Sequence, residues 1–182
     1  MLGLDLAGSR GRSHRVRRAF GFIDLSGFTA YGFAHGDDRA VEQLSIFRAV
    51  VRAVGSATGI RVAKWLGDGA MLVGLDAPSL ISAMLRIKAR VEQNSELSVH
   101  GGVAQGDVIL FEGDDHIGGV VNLAARLADL AEAGQILAPV DTLQGLGRSE
   151  AVLGLRSIPG FDDPIEVADV ALVPALVESH NL

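Results

Sequence analysis

Cysteine is absent from this chain of 182 residues, which excludes a disulfide scaffold, a thiol nucleophile and a thiolate metal site. Long hydrophobic runs are absent as well. The longest stretch without a charged residue covers residues 25–36 and includes Ser26, Thr29 and three glycines, so it is too short and too polar to span a bilayer. No apolar run with a small-residue cleavage site follows the N-terminal arginines. We therefore expect no secretory signal, no membrane association and a cytoplasmic location.

Positive charge is scarce except at the N-terminus. The formal net charge is −6, yet residues 1–18 hold five arginines against one aspartate, so the remaining residues carry −10. This balance gives no general attraction to nucleic acid or to an anionic membrane. We interpret the arginine cluster as a solvated segment that runs into the first strand. A nucleic-acid-binding arm is the weaker alternative, because no aromatic residue lies among the arginines before Phe20.

Hydrophobic residues make up 48% of the sequence, enough for one domain with a buried core. Their spacing predicts strands at 18–25, 60–66, 70–75, 97–111, 135–138, 152–158 and 165–173, with a polar turn at 112–115. It also predicts three helices: one at 40–54, one that follows the N-cap Asp76, and one at 119–133. The Asp68-Gly69 pair between the second and third strands is typical of a hairpin. The order β-α-β-β-α-β predicts an α+β ferredoxin-like sandwich with a C-terminal α/β extension and with its helices packed on one sheet face.

Two aspartates lie at element boundaries rather than on a helix face. Asp24 ends the first strand and Asp68 lies at the hairpin tip. Taken alone, each is explained by turn geometry. In a ferredoxin-like sheet the first strand is central and the hairpin can lie beside it, so the two carboxylates could converge. Such a pair forms a hard-oxygen site suited to Mg²⁺ or Mn²⁺. None of the five histidines shows ligand spacing, so we interpret none as a metal ligand.

A turn of small residues follows Asp24 directly. It consists of Leu25, Ser26, Gly27, Phe28 and Thr29, and a helix comes soon after it. Backbone N–H groups at a helix N-terminus bind phosphate oxygens well, which makes this turn a candidate phosphate loop. The alternative is an ordinary connection between a strand and a helix.

Polar residues interrupt two apolar segments. Asn122 and Arg126 are four residues apart and share one face of the predicted helix 119–133, among apolar neighbours. They either serve a site or tie the helix to a loop. Lys64 stands inside an apolar strand, where it either serves a site or extends from an edge strand into solvent.

Three separated motifs carry most of these residues: 22–29 (FIDLSGFT), 64–69 (KWLGDG) and 115–126 (DHIGGVVNLAAR). In this order and with this internal spacing, they resemble the catalytic domain of class III adenylate and guanylate cyclases. The short segment between Gly106 and Asp115 resembles the bacterial subgroup with an abbreviated dimerisation arm. The resemblance implies the nucleotide cyclase fold for residues 18–173, between a basic flexible segment at 1–17 and a tail at 174–182.

The resemblance further implies an adenylate cyclase that converts ATP to 3′,5′-cyclic AMP and pyrophosphate. It assigns two divalent cations, Mg²⁺ or Mn²⁺, to Asp24, Asp68 and the Leu25 carbonyl, directly beside the candidate phosphate loop 25–29. In this family the metal aspartates of one subunit face the other nucleotide-binding residues of its partner. The resemblance therefore implies a homodimer with two shared active sites.

The resemblance also assigns roles to the remaining polar residues. Lys64 and Asp115 would recognise adenine, Asn122 would position the ribose, and Arg126 would stabilise the phosphoryl transition state. Adenine presents an N6 amino donor and an N1 acceptor, which match an ionised Asp115 and a charged Lys64, whereas guanine presents the reverse pattern. ATP is therefore the expected substrate.

Two other functions stay open on the sequence alone. One is a catalytically silent, cyclase-like module that binds nucleotide and regulates another protein, and the other is a guanylate cyclase. A diguanylate cyclase or a polymerase palm shares the fold and the use of carboxylate-bound divalent ions. It requires an acidic hairpin motif, however, that residues 67–70 (GDGA) do not supply.

Overall fold

The computed structural model describes residues 15–111, 115–143 and 151–172, and in this part of the chain four α-helices pack on one eight-stranded sheet. The strands are β1 (Arg15–Leu25), β2 (Arg61–Leu66), β3 (Gly69–Gly74), β4 (Val99–Phe111), β5 (Asp115–Ile117), β6 (Ile136–Pro139), β7 (Val152–Arg156) and β8 (Ile165–Asp169). The helices are α1 (Phe28–His35), α2 (Asp37–Thr58), α3 (Ala77–Asn94) and α4 (Gly119–Leu130), and two short 3₁₀ helices cover Val140–Leu143 and Val170–Leu172.

The strand order confirms the predicted ferredoxin-like core. The sheet runs β2-β3-β1-β4-β6-β8-β7, and β5 pairs with β4 beside this path. The first strand is central, as expected, because it pairs antiparallel with both β3 and β4. The strands β6, β8 and β7 form the predicted C-terminal extension. This order brings the end of β1, the β2–β3 turn and the start of β4 to the same edge of the sheet.

Alternating residues of β1 face two different layers of the molecule. Ala19, Ile23 and Leu25 belong to the large core formed with α2 and α3, whereas Phe20 packs in a second cluster with residues of α4. Side chains of a strand alternate between the two faces of its sheet. Asp24 therefore points to the face that carries α4.

The expectation that the helices pack on one face holds for α2 and α3 and is wrong for α4. Two adjacent glycines of β4 show the difference. A Cβ on Gly101 would lie 2.9 Å from the Met84 side chain of α3, whereas a Cβ on Gly102 would collide with the α4 backbone at Ala124 and Ala128. Because Gly102 has no side chain, α4 packs directly against the second face and closes over the end of β1 that carries Asp24.

Element boundaries follow local sequence signals. The Asp76 carboxylate accepts the Ser79 backbone N–H at 2.8 Å, which confirms the predicted N-cap of α3, and Pro78 lies in its first turn. The first strand begins at Arg15, three residues earlier than predicted, so residues 15–17 are part of the sheet. The predicted C-terminal tail and residues 1–14 lie outside the described residues. No helix in the described ranges has the length and apolar character needed to cross a membrane.

Two elements are present that the hydrophobic pattern did not predict. The helix α1 has only one buried residue, Tyr31, and Phe33 is 90% exposed, so its sequence carries no amphipathic period. The strand β5 occupies Asp115–Ile117 and pairs antiparallel with Ile109–Phe111 of β4. The sequence pattern places its first residue, Asp115, in a polar turn instead. We call this paired segment, Ile109–Phe111 with Asp115–Ile117, the β4–β5 arm.

Candidate active site

The structure places Asp24 and Asp68 beside each other. Asp24 is opposite Gly69 in the β1–β3 pairing, and the Leu25 N–H donates to the Asp68 carbonyl across 3.4 Å. Partial burial, together with the negative charge of Asp68, raises the pKa of the Asp24 carboxyl to about 6. The antiparallel pairing thus brings Asp24 and Asp68, which are distant in sequence, together at one site, which we call the acidic corner.

The acidic corner fits a divalent cation that is shared with a ligand. Asp24 Oδ1 is buried and has no hydrogen-bond partner in the described structure. A Cβ at Gly69 would lie 2.7 Å from it, so the carboxylate can lie this close to the turn only because residue 69 is glycine. Among the described residues no group of three or more acidic or histidine side chains is arranged to hold an ion by itself. Mg²⁺ commonly takes one or two carboxylates and completes its shell with phosphate oxygens and water. Asp24, Asp68 and the Leu25 carbonyl suit that mode of binding.

The predicted phosphate loop is a tight turn that leads directly into α1. Gly27 adopts a left-handed conformation with φ 74°, and its carbonyl accepts the Tyr31 N–H at 2.9 Å in the first turn of the helix. The Ser26 N–H donates to the Ser98 carbonyl at 2.9 Å. The loop therefore lies between the acidic corner and a helix N-terminus, where partial positive charge favours anions.

Lys64 and Asp115 form an ion pair on the surface. The Lys64 Nζ donates to Asp115 Oδ1 at 2.8 Å, and each side chain is more than half exposed. The hydrogen bond and the charge of Lys64 lower the pKa of the Asp115 carboxyl. A register shift between Val62 and Lys64 interrupts the β2–β3 pairing at this point. Exposed pairs of this kind contribute little to stability.

Asn122 and Arg126 lie on the exposed face of α4, as their spacing predicts. The Arg126 guanidinium does not reach a loop in the described structure. It donates to Asp129 Oδ2 at 3.1 Å, one turn further along the same helix. The Arg126 side chain is 53% exposed, so it remains accessible to a ligand or to another chain.

Two residues near the acidic corner were not identified from the sequence. Asp24, His100 and Asp129 line one cavity of about 270 Å³ together with apolar residues that include Ala125 and Ala128 of α4. His100 is directly opposite Asp24 in the β1–β4 pairing, and burial lowers the pKa of its imidazole. The sequence signal for Asp129 is its position three residues after Arg126. His100 has no such local signal, because its place depends on strand register.

The structure thus forms two groups of predicted site residues within one chain. The acidic corner and the phosphate loop lie at the end of β1, whereas Lys64 and Asp115 pair separately at the β4–β5 arm. Asn122 and Arg126 follow both groups in sequence and lie on the face of α4 that is turned away from the core. Lys64 and Asp115 are exposed, whereas Asp24 and Asp68 are partly buried.

This fold is that of the class III adenylyl and guanylyl cyclase catalytic domains, so the predicted resemblance is confirmed in three dimensions. The adenylyl cyclase CyaB from P. aeruginosa superposes with a TM-score of 0.74 at 22% sequence identity, covering 86% of this chain and 94% of that one. The guanylyl cyclase Cya2 superposes with a TM-score of 0.73 at 21% identity, covering 86% of this chain and 92% of that one. At these identities the similarity establishes the fold and leaves the base preference open.

Curated relatives show similarity in sequence. An uncharacterised protein of Mycobacterium tuberculosis is 36% identical over 155 residues, which is 84% of this chain and 41% of the relative. A Streptomyces coelicolor protein named adenylate cyclase is 32% identical over 127 residues, which is 69% of this chain and 32% of the relative. The chain therefore spans about a third to two fifths of the length of these relatives. No protein-family model matches the chain.

Proposed function

We propose that this chain is an adenylate cyclase, which converts ATP to 3′,5′-cyclic AMP and pyrophosphate at two sites shared by a homodimer. The observation that carries the proposal is the preformed pair of Lys64 and Asp115, a cationic donor and an ionised acceptor at 2.8 Å on an accessible surface. The cyclase fold, and a relative of 32% identity that is named adenylate cyclase, support it.

The proposed base preference follows from donors and acceptors. Asp115 accepts from the adenine N6 amino group, and Lys64 donates to adenine N1. Because Lys64 keeps the pKa of Asp115 low, the carboxylate is ionised and available as an acceptor at neutral pH. Guanine would present O6 to Asp115 and N1–H to Lys64, which pairs acceptor with acceptor and donor with donor. Such mismatches are rejected strongly where the polar groups become buried by the ligand.

The acidic corner would hold the cations, and this chain's own groups would orient the phosphates. Asp24, Asp68 and the Leu25 carbonyl are the proposed ligands, and bound ions would lower the pKa of the 3′-hydroxyl and neutralise the triphosphate. Within the loop 25–29, the N–H groups of residues 27–29, at the N-terminus of α1, would bind phosphate oxygens, because those of Leu25 and Ser26 donate to Asp68 and Ser98. This arrangement aligns the 3′-oxygen with the α-phosphorus, so that a new P–O bond forms as the bond to pyrophosphate breaks.

Asn122 and Arg126 would complete the site from the partner subunit. In this assignment Asn122 orients the ribose, and Arg126 stabilises the charge that develops on the phosphoryl oxygens. Exposed apolar side chains support a dimer, because the β4–β5 arm presents Leu110, Phe111 and Ile117 to solvent. Several such side chains on one small hairpin mark a surface that another chain can cover.

A double substitution at the base-recognising pair tests the proposal. The variant K64E/D115G should lose most cyclisation of ATP and gain relative preference for GTP, measured as kcat/KM for both nucleotides with Mn²⁺. The matched control is K88E/E92A, which removes an ion pair of 2.8 Å on α3, away from these residues, and should leave the preference unchanged. Undiminished preference for ATP in K64E/D115G would contradict the assignment of these two residues.

A further inference from the structure

One hydrogen bond joins the phosphate loop to β4 through side chains. The Ser26 Oγ lies 3.0 Å from His100 Nδ1, in a partly buried contact. The backbone of the same residue is tied to the residue that precedes β4, since the Ser26 N–H donates to the Ser98 carbonyl at 2.9 Å. The start of β4 and the residue before it therefore fix Ser26 at two points, and only the contact with His100 depends on the identity of a side chain.

His100 occupies a position from which it can set the geometry of the acidic corner. It is the direct cross-strand partner of Asp24, and it lines the same cavity as Asp24 and Asp129. Ser26 is the residue between the Leu25 carbonyl and Gly27, the left-handed residue of the turn. A hydrogen bond to Ser26 therefore acts on both sides of the loop, on the carbonyl that precedes it and on the N–H groups that follow.

We propose that His100 is a positioning residue that fixes the Ser26 side chain and thereby holds the loop 25–29 ready for the nucleotide's phosphates. The inference rests on the nucleotide-binding function proposed above. A loop already held in its binding conformation loses less conformational freedom when a ligand binds. Because this advantage applies to substrate and transition state alike, it appears in KM and leaves kcat nearly unchanged.

A double-mutant cycle tests the coupling. A neutral hydrogen bond has a net value that corresponds to about a fivefold change in an equilibrium constant, so S26A and H100L should each raise the nucleotide KM about fivefold, with kcat within about twofold of wild type. If the two side chains act as one unit, S26A/H100L should also show about a fivefold increase, whereas independent effects would multiply to about 25-fold.

A conservative replacement separates the hydrogen bond from the packing of the ring. Asparagine places a polar atom close to the position of histidine Nδ1, so H100N should restore a KM near that of wild type. The S26A variant leaves His100 unchanged, and it must show the same increase in KM as H100L. Multiplying effects in the cycle, an H100N variant as impaired as H100L, or an unchanged KM in S26A would each overturn the inference.

A binding measurement distinguishes failure of the inference from failure of the proposed function. Trp65 is the single tryptophan and lies on the hairpin that carries Asp68, so its fluorescence should be quenched when Mn²⁺ and nucleotide bind. If the wild type cyclises neither ATP nor GTP, the proposed function is wrong. The double-mutant cycle is then measured as the Mn²⁺–nucleotide affinity of the wild type and of the same variants. Coupled losses of affinity, with recovery in H100N, would support the inference, and a wild type that binds no Mn²⁺–nucleotide would overturn it.

Discussion

Replacing Asp24 by asparagine should stabilise the metal-free protein while removing its proposed function. The pKa of this carboxyl is raised from 3.8 to about 6, because partial burial and the neighbouring Asp68 disfavour its charged form. Each pKa unit corresponds to about 1.4 kcal/mol, and solvent screening of this partly exposed group reduces the total to on the order of 1 kcal/mol. An uncharged amide avoids this penalty.

The pH dependence has a defined sign. A carboxyl whose pKa is raised in the folded state contributes stability below the pKa of the unfolded chain, and this contribution is lost as the pH rises through the folded pKa. Without metal, the free energy of unfolding of the wild type should therefore decrease between about pH 4 and pH 6 from this group, whereas D24N should lack that decrease. At pH 7.5 the variant should unfold about 2–4 °C higher.

The assay is thermal or urea unfolding in EDTA, repeated with Mn²⁺. In EDTA at pH 7.5, D24N should be more stable than the wild type, and the exposed-site control D162N should match the wild type. Added Mn²⁺ should stabilise the wild type more than D24N, because the variant has lost a proposed ligand. A D24N protein that is equally or less stable than wild type in EDTA would refute the reasoning that Asp24 is held at an energetic cost.

Three further outcomes are expected. R126A should lower kcat on the order of a hundredfold and change nucleotide KM less, measured by steady-state kinetics, and equal losses in both would argue against a transition-state role. Mixing D24A with R126A subunits should restore activity in the heterodimer, and no recovery would count against shared sites. G102A should lower the free energy of unfolding by about 1–3 kcal/mol, because its Cβ collides with the α4 backbone, and an unchanged urea midpoint would contradict that packing.

The ferredoxin-like core could be predicted because its elements carry strong local signals. The hairpin around Asp68-Gly69, the capped start of α3 and the apolar strands all appear in the sequence before any tertiary contact is known. The helix α1 could not be predicted from periodicity, because seven of its eight residues remain partly or fully exposed. The packing of α4 on the second face of the sheet depends on Gly102, and this role becomes visible only in the folded structure.

The candidate site was predictable to the extent that motifs carry it. Asp24, Asp68, Lys64 and Asp115 could be assigned in pairs, and the structure shows each pair in proximity. His100 could not be assigned, because its contact with the loop depends on the β1–β4 register rather than on sequence spacing. The spacing of the histidines gives no metal-binding motif, and spacing does not detect a residue whose proposed role is to hold a loop.

The measurement that tests the central claim most directly is cyclic nucleotide production by the purified chain. ATP and GTP are supplied in parallel, with Mn²⁺ or Mg²⁺ present. Cyclic AMP from ATP, with little or no cyclic GMP from GTP, is the predicted result and would establish both the reaction and the base preference. Production of cyclic GMP in preference would assign a guanylate cyclase. No product from either nucleotide, in a protein shown to be dimeric and to bind metal, would contradict the account and favour a silent regulatory module.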